Sequence, residues 1–93
     1  MSPMQLRVQR RIMTSISEDA STGCWEWRRQ ISNSGYGRIM LGGPDGTRSE
    51  SAHRASYAAF VRPPAADEIV RHTCGNRLCV NPEHLEAVPA SMD

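Results

Sequence analysis

Three metal-binding residues occur together in one polar, turn-rich loop, and they limit the possible folds more than any other part of the chain. Cys74, Cys79 and His84 stand with four residues between each neighbouring pair. Thiolate and imidazole ligands at short spacing are what tetrahedral zinc requires, and a fourth ligand can come from a distant strand. Cys24 is the one remaining cysteine. The spacing therefore predicts a Cys₃His zinc site that joins an early strand to this late loop.

The size of the chain and its cysteine count also favour zinc. Three cysteines cannot all pair within one chain, and 93 residues form one domain with a thin core. Structural zinc contributes on the order of 10 kcal/mol to folding, which would compensate for that core. The alternative is three buried, reduced cysteines that pack as small hydrophobic residues, with His84 at the surface. That alternative gives no reason for an ordered Cys, Cys, His series, so zinc is the preferred interpretation.

The charge of the chain does not identify a partner, because the formal net charge is only +1. All eleven basic residues are arginine, whose planar guanidinium suits bidentate phosphate contacts. A GC-rich genome that favours arginine codons is the simpler explanation of this bias. No apolar run is long enough to cross a bilayer, and the first residues alternate arginine with apolar residues. We therefore expect a cytoplasmic protein without a membrane segment.

The N-terminal residues predict an amphipathic helix. Ser2 and Pro3 have the pattern of a helix cap followed by a first-turn proline. The apolar residues that recur every four positions are Met4, Val8, Ile12 and Ile16, with Leu6 and Met13 beside them. The other face carries Arg7, Arg10 and Arg11. These arginines would either follow a phosphate backbone or remain solvated, and solvation is the commoner outcome.

A loop and a strand are expected next. Residues 17–23 are acidic and small, which is typical of a loop. In residues 24–29 the two tryptophans, Trp25 and Trp27, flank a glutamate. This alternation predicts a strand with both indoles on one face, where their expected role is core packing.

A hairpin and a helix follow. Residues 35–41 and 47–51 flank the turn-rich residues 42–46, which predicts a β-hairpin. Residues 52–62 predict a helix that a Pro-Pro pair ends abruptly. Its apolar stripe consists of Ala52, Ala55, Ala59 and Phe60.

The last part of the chain predicts two short strands around the cysteine loop. Residues 68–73 form the first strand through Ile69 and Val70, and the second strand ends at Val88. Residues 89–93 have the pattern of a helix start, and the sequence ends within its first turns. We therefore expect this final helix to be short or missing.

The central motif resembles that of a known family. It reads His72-x-Cys74-x₄-Cys79-x-Asn81-Pro-x-His84-Leu, and it follows a Cys-Trp-Glu-Trp segment, a Gly-Tyr-Gly-Arg segment and an Ala-His-Arg-Ala-Ser-Tyr segment. The pattern is similar to the ββα-metal nucleases, in particular HNH endonucleases and the related His-Cys box homing endonucleases. The resemblance covers about residues 23–93 and leaves out the N-terminal helix.

The resemblance implies an α+β fold and two parts of the chain. It implies a small zinc-bound ββα-metal fold with an added β-hairpin and helix. We expect an N-terminal amphipathic helix and acidic loop over residues 1–22, and an HNH nuclease domain over residues 23–93.

The resemblance also implies roles for individual residues. His72 stands where the family keeps the general base that activates water for attack on phosphorus, a task that a neutral imidazole suits. Asn81 stands at the position of the family's middle asparagine. The resemblance implies that it clamps the loop and holds the histidine strand, without a part in the chemistry. The zinc ligands of the His-Cys box relatives match Cys24, Cys74, Cys79 and His84.

The family also holds a catalytic Mg²⁺ or Mn²⁺ ion, and the position of its ligand on the final helix is Asp93 here. Arg54 lies on a helix that packs near the site in relatives, where an arginine can neutralise the scissile phosphate. A salt bridge to Glu50 or Glu68 is an equally good role for it. Many relatives place an acidic metal ligand directly before the base, whereas this chain has Arg71, which would repel a cation or contact phosphate.

The resemblance therefore implies a metal-dependent DNA endonuclease with little sequence specificity of its own. One alternative is a catalytically inactive zinc module that binds nucleic acid or a protein partner. Another is a fragment of a larger nuclease whose last helix lies beyond Asp93. A double-strand cut needs two such sites, so a homodimer is compatible with this interpretation.

Overall fold

The computed structural model describes residues 3–43 and 46–92. Within them the chain has the predicted α+β fold, with two α-helices and three antiparallel strand pairs. The elements are α1 (Pro3–Met13), β1 (Ile16–Glu18), β2 (Trp25–Trp27), β3 (Arg38–Gly43), β4 (Gly46–Ser51), α2 (Ala52–Phe60), β5 (Glu68–His72) and β6 (Leu85–Pro89), with short 3₁₀ helices at Pro82–His84 and Ala90–Met92. Of residues 89–93, which had the pattern of a helix start, Ala90–Met92 form the second of these short 3₁₀ helices, Pro89 ends β6, and residue 93 lies outside the described residues. No helix in the described ranges is both long and apolar enough to cross a membrane.

The N-terminal helix is present but shorter than predicted. It ends at Met13, and Ile16 belongs to β1, where it pairs with Trp27. The reason is local, because the Ser15 hydroxyl donates a hydrogen bond to the Arg11 carbonyl at 2.6 Å, which favours a helix end. Strand β1 also corrects the prediction that residues 17–23 are entirely a loop. Val8 and Ile12 are buried as expected.

Two apolar residues of α1 do not join the buried face. Leu6 and Met13 are each 48% exposed, although the sequence pattern placed them beside the apolar stripe. Residues only two positions apart along a helix point in different directions, and Leu6 lies two positions from both Met4 and Val8. The capping residue Ser2 and the side chain of Met4 lie outside what the structure describes.

The two tryptophans of β2 contribute to the core, as predicted. Trp27 is buried, and Trp25 packs edge-on against Phe60 with 5.6 Å between ring centroids. A Cβ atom at Gly37 would lie 2.8 Å from the Trp27 indole, so this close approach requires glycine. The strand is shorter than the predicted residues 24–29.

The predicted hairpin and its following helix are confirmed. Strands β3 and β4 pair antiparallel from Arg38↔Ser51 to Gly43↔Gly46, and the predicted turn includes residues 44 and 45, which lie outside the described residues. Helix α2 ends at Phe60, two residues before the predicted end, because a residue that precedes proline is disfavoured in the helical region.

One main core joins the helices to the strands. Its buried members are Val8, Ile12, Trp27, Ile39, Ala52, Ala55, Ala59 and Val80. Helix α1 is held to α2 by the Gln9 side chain, which donates a hydrogen bond to the Ala59 carbonyl at 2.7 Å. A smaller cluster of Tyr57, Val70 and Leu85 packs α2 against β5 and β6. Since His72 pairs with Leu85 at the end of β5, the fold sets this histidine directly before the cysteine loop.

Candidate metal centre and histidine site

The predicted zinc ligands come together in the fold. We call Cys24, Cys74, Cys79 and His84 the Cys₃His cluster, and one ligand atom from each residue lies within 4.8 Å of all the others. Nδ1 of His84 is 3.5 Å from Sγ of Cys24 and 3.4 Å from Sγ of Cys79. The convergence expected from the sequence spacing is therefore present, although Cys24 lies far from the loop in the chain.

These separations fit a tetrahedral zinc ion. Zinc bonds of about 2.3 Å to sulfur and about 2.0 Å to nitrogen, at a tetrahedral angle, separate the two ligand atoms by about 3.5 Å. The two separations from Nδ1 of His84, 3.5 Å and 3.4 Å, match that value. The Cys₃His cluster is thus compatible with zinc, with Nδ1 as the ligand atom of the imidazole.

The backbone before Cys24 is shaped for this cluster. Gly23 has φ of 76°, a conformation that side chains other than glycine rarely adopt, and a Cβ there would lie 3.6 Å from the His84 ring. The Asn81 amide donates a hydrogen bond to the Gly23 carbonyl at 2.6 Å, and its oxygen accepts one from the Glu83 backbone at 2.9 Å. These contacts join Asn81 to the residues directly before Cys24 and His84, and its predicted role in holding the histidine strand stays a prediction.

The two buried thiols of the cluster differ in acidity. Burial acts to raise the pKa of the Cys24 thiol, but hydrogen bonds with Thr22 and with the other cluster residues lower it to about 7. Burial raises the pKa of the Cys79 thiol to about 12. A dication at the centre would favour the thiolate of both residues, because positive charge stabilises the ionised form.

His72 lies in a second group of side chains, which we call the ring cluster: Tyr36, His53 and His72. The His72 ring stacks on Tyr36 with 5.6 Å between centroids and 15° between planes. Its centroid is 4.6 Å from that of His53. Nε2 of His72 and Nδ1 of His53 are buried and have no hydrogen-bond partner among the described residues. An unpaired buried polar atom costs about 1–3 kcal/mol, so such atoms are often found where a reaction or a ligand uses them.

Both imidazoles of the ring cluster are neutral near pH 7. Burial lowers the pKa of His53 to about 4, helped by the nearby charge of His72 and opposed by a backbone hydrogen bond with Val70. Burial also lowers the pKa of His72, opposed by a backbone hydrogen bond with Cys79. A neutral imidazole has a free lone pair and can accept a proton.

Contacts of cluster members and of neighbouring residues link the ring cluster to the loop that holds Cys74, Cys79 and His84. The backbone of Cys79 bonds with His72, and the Thr73 backbone donates to the His84 carbonyl at 2.8 Å. Arg77 stands between Cys74 and Cys79 in the sequence, and its guanidinium packs over Tyr36 at 5.6 Å from the ring centroid. The position of His72 therefore depends on the folded cysteine loop.

The guanidinium of Arg54, the predicted phosphate arginine, contacts the start of β5, and its charge adds to burial in lowering the pKa of His53. Arg54 donates a hydrogen bond to the Glu68 carbonyl at 3.2 Å. Glu68 begins β5 and His72 ends it, so the backbones of these two residues lie about 13 Å apart along an extended strand. The Glu68 carboxylate pairs instead with Arg62 at 3.0 Å, so the alternative salt bridge from Arg54 to Glu68 is not formed.

Two other positions named from the sequence have different outcomes. Arg71 forms an exposed ion pair with Glu86, its cross-strand neighbour, and this pair offsets the positive charge beside His72. Asp93, which was predicted to hold the catalytic ion, lies outside the described residues.

The sequence interpretation assigned no role to His53 or Tyr36. Both stood within the segments that carry the family resemblance, but nothing in their spacing indicated a contact with His72. The contact arises from the hairpin, since the Ala52 backbone donates a hydrogen bond to the Gly37 carbonyl at 2.9 Å. This bond sets the start of α2 beside the segment that carries Tyr36.

Comparison with known proteins agrees with the motif. A family model described as HNH endonuclease matches residues 50–93. Protein 2.8 of Escherichia phage T7 is 37% identical over 66 residues, which are 70% of this chain and 42% of that protein. The chain thus spans less than half the length of this curated relative. No solved structure matches the chain.

Proposed function

We propose that the chain is a metal-dependent endonuclease that hydrolyses phosphodiester bonds of DNA, because residues 50–93 match a family model described as HNH endonuclease. The observation that carries the proposal is the state of His72. Its Nε2 atom is buried without a partner, and its backbone adjoins a Cys₃His cluster that is compatible with zinc. A neutral imidazole held on a rigid strand end has the properties of a general base.

His72 would act by removing a proton from a water molecule. As Nε2 takes the proton, the water oxygen bonds to phosphorus, and the bond from phosphorus to the leaving sugar oxygen breaks. The leaving oxygen then takes a proton from solvent. Because Nε2 is covered in this structure, the groups that cover it must shift when substrate binds.

The other predicted residues would support this step. A Mg²⁺ or Mn²⁺ ion, with Asp93 as its proposed ligand, would stabilise the negative charge that grows on the phosphate oxygens. Asn81 is proposed as a clamp on the Cys₃His cluster, without a part in the chemistry. Arg54 would contact phosphate only after its guanidinium leaves the Glu68 carbonyl.

A second candidate function is a zinc module that binds nucleic acid without cleaving it. The covered Nε2 atom favours this candidate, because a base that water cannot reach does not turn over. Arg71 also favours it, because this arginine stands directly before His72, where many relatives have an acidic metal ligand.

A plasmid assay with Mg²⁺ or Mn²⁺ separates the two functions. We expect the wild-type chain to nick or cleave plasmid, and His72→Ala to lose activity by about 10²–10⁴-fold while folding and zinc content persist. Arg62→Gln is the control, because Arg62 is an exposed residue whose ion pair lies at the far end of β5. Full activity in His72→Ala would rule out this base. Absence of cleavage by the wild type with every divalent ion, together with tight DNA binding, would establish the second function.

A further inference from the structure

A cavity of about 400 Å³ lies apart from the two clusters, and three arginines line it. Arg11 comes from α1, Arg29 follows β2, and Arg38 begins β3. Polar groups of Thr14, Ser15 and Gln30 also line the cavity, and none of its lining residues is acidic. Three separate segments thus bring positive charge to one place.

The three arginines lack the ion pairs that other arginines of this chain have. Arg28, Arg62 and Arg71 each pair with a glutamate within 3.3 Å. Among the described residues, no carboxylate forms such a pair with Arg11, Arg29 or Arg38. Like charges held together without a counterion repel one another, so an anion that enters the cavity would relieve this repulsion.

The backbone around the cavity is fixed by the core. The Gln30 carbonyl accepts a hydrogen bond from the Arg38 backbone at 2.9 Å and another from the Trp27 indole at 2.9 Å. These two bonds to Gln30, one of them from the buried Trp27 indole, therefore hold the backbone at Arg38 close to the backbone that follows Arg29. Ile39, which follows Arg38, is also buried in the core.

We infer that this arginine cavity binds the phosphate backbone of DNA. Arginine forks suit bidentate phosphate contacts, and phosphate contacts position a protein on DNA without reading its sequence. All residues that line the cavity lie outside residues 50–93, the part that matches the nuclease family. The family segment would thus supply the chemistry, and the N-terminal part would hold the strand. The inference rests on the proposed function, in that it takes DNA as the substrate.

The test compares two double variants that each remove two positive charges. Arg29→Gln with Arg38→Gln changes the cavity, whereas Arg28→Gln with Arg62→Gln changes two arginines that already have ion pairs. Binding of a short DNA duplex is measured without Mg²⁺ or Mn²⁺ at several salt concentrations. We expect the cavity variant to bind about 100-fold more weakly and to lower the slope of log affinity against log salt by about 2. The control variant should bind within about threefold of wild type.

The outcomes separate this inference from the proposed function. Equal losses in both double variants, or a cavity variant that binds like wild type, would overturn the inference while plasmid cleavage by wild type still supports the nuclease. Selective loss in the cavity variant, together with absence of cleavage by wild type, would support the cavity and overturn the nuclease. Inorganic phosphate is the competitor at constant ionic strength. Displacement of DNA by micromolar phosphate would assign the cavity to free phosphate and overturn the inference.

Discussion

The Cys₃His cluster and the ring cluster use the same residue type in opposite ways. His84 directs Nδ1 at two sulfur atoms, and four ligand atoms converge on one point. His53 and His72 each have one buried ring nitrogen without a hydrogen-bond partner among the described residues, and their rings pack against each other and Tyr36. The first arrangement is that of a structural site in which every ligand is used. The second leaves proton-accepting atoms unused, which is typical of a reactive site.

The largest expected effect is the loss of zinc from the Cys₃His cluster. Chelation of the metal, or Cys79→Ser, should unfold the chain, because structural zinc contributes about 10 kcal/mol and a small domain has only about 5–15 kcal/mol of stability. His72→Ala should keep its zinc and its fold. Circular dichroism and metal analysis measure both properties. A metal-free wild-type chain with an unchanged near-UV spectrum would remove the distinction between the two clusters.

A smaller effect is expected from the clamp on the Cys₃His cluster. Asn81→Ala removes the hydrogen bond to Gly23, so zinc affinity should fall by about 10–100-fold, as it does when groups that support metal ligands are lost. Asn76→Ala is the matched control, because the described contact of the Asn76 side chain is a local bond to the Leu78 backbone. Competition with a zinc indicator measures the affinities. Equal affinities in the two variants would show that Asn81 does not support the metal ligands.

The stack on His72 is expected to matter for rate more than for folding. Tyr36→Leu removes the aromatic face that orients His72, so kcat for plasmid cleavage should fall about tenfold, or about 1.4 kcal/mol, with little change in KM. Tyr36→Phe retains the ring and should cleave at the wild-type rate. A Tyr36→Leu variant that cleaves faster than wild type would mean that the ring only covers Nε2.

The acid stability of the ring cluster depends on the buried state of His53. His53 has a pKa of about 4 in the folded chain and about 6.5 when unfolded, so the unfolded state binds more protons between these values. Stability should therefore fall as pH decreases from 6.5 to 4, by roughly 1–2 kcal/mol between pH 7 and pH 5. Chemical denaturation of zinc-loaded wild type and His53→Asn measures this. The variant should lose less stability than wild type on acidification, and parallel pH profiles would contradict the buried state of His53.

The elements that could be predicted are those with a local cause. The hairpin, α2 and the tryptophan strand follow from turn residues, a Pro-Pro stop and period-2 alternation. The end of α1 was placed too late, because the four-residue repeat continues through Ile16 although that residue pairs with Trp27 in a strand. A repeat of apolar residues indicates which side chains are buried, but it does not show whether a residue at the end of the repeat lies in a helix or in a strand.

The members of the Cys₃His cluster could be predicted from the sequence, because few residue types bind zinc and the spacing of three of them within one loop is a local property. The family resemblance likewise rested on a contiguous motif, and the HNH endonuclease family model that matches residues 50–93 supports it. The ring cluster and the arginine cavity depended on tertiary structure. Tyr36 meets His72 only through the hairpin register, and the three arginines line one cavity only because the end of α1, the residues after β2 and the start of β3 come together in the fold. Contacts between distant segments are set by the packing of the whole core, and no short stretch of residues encodes them.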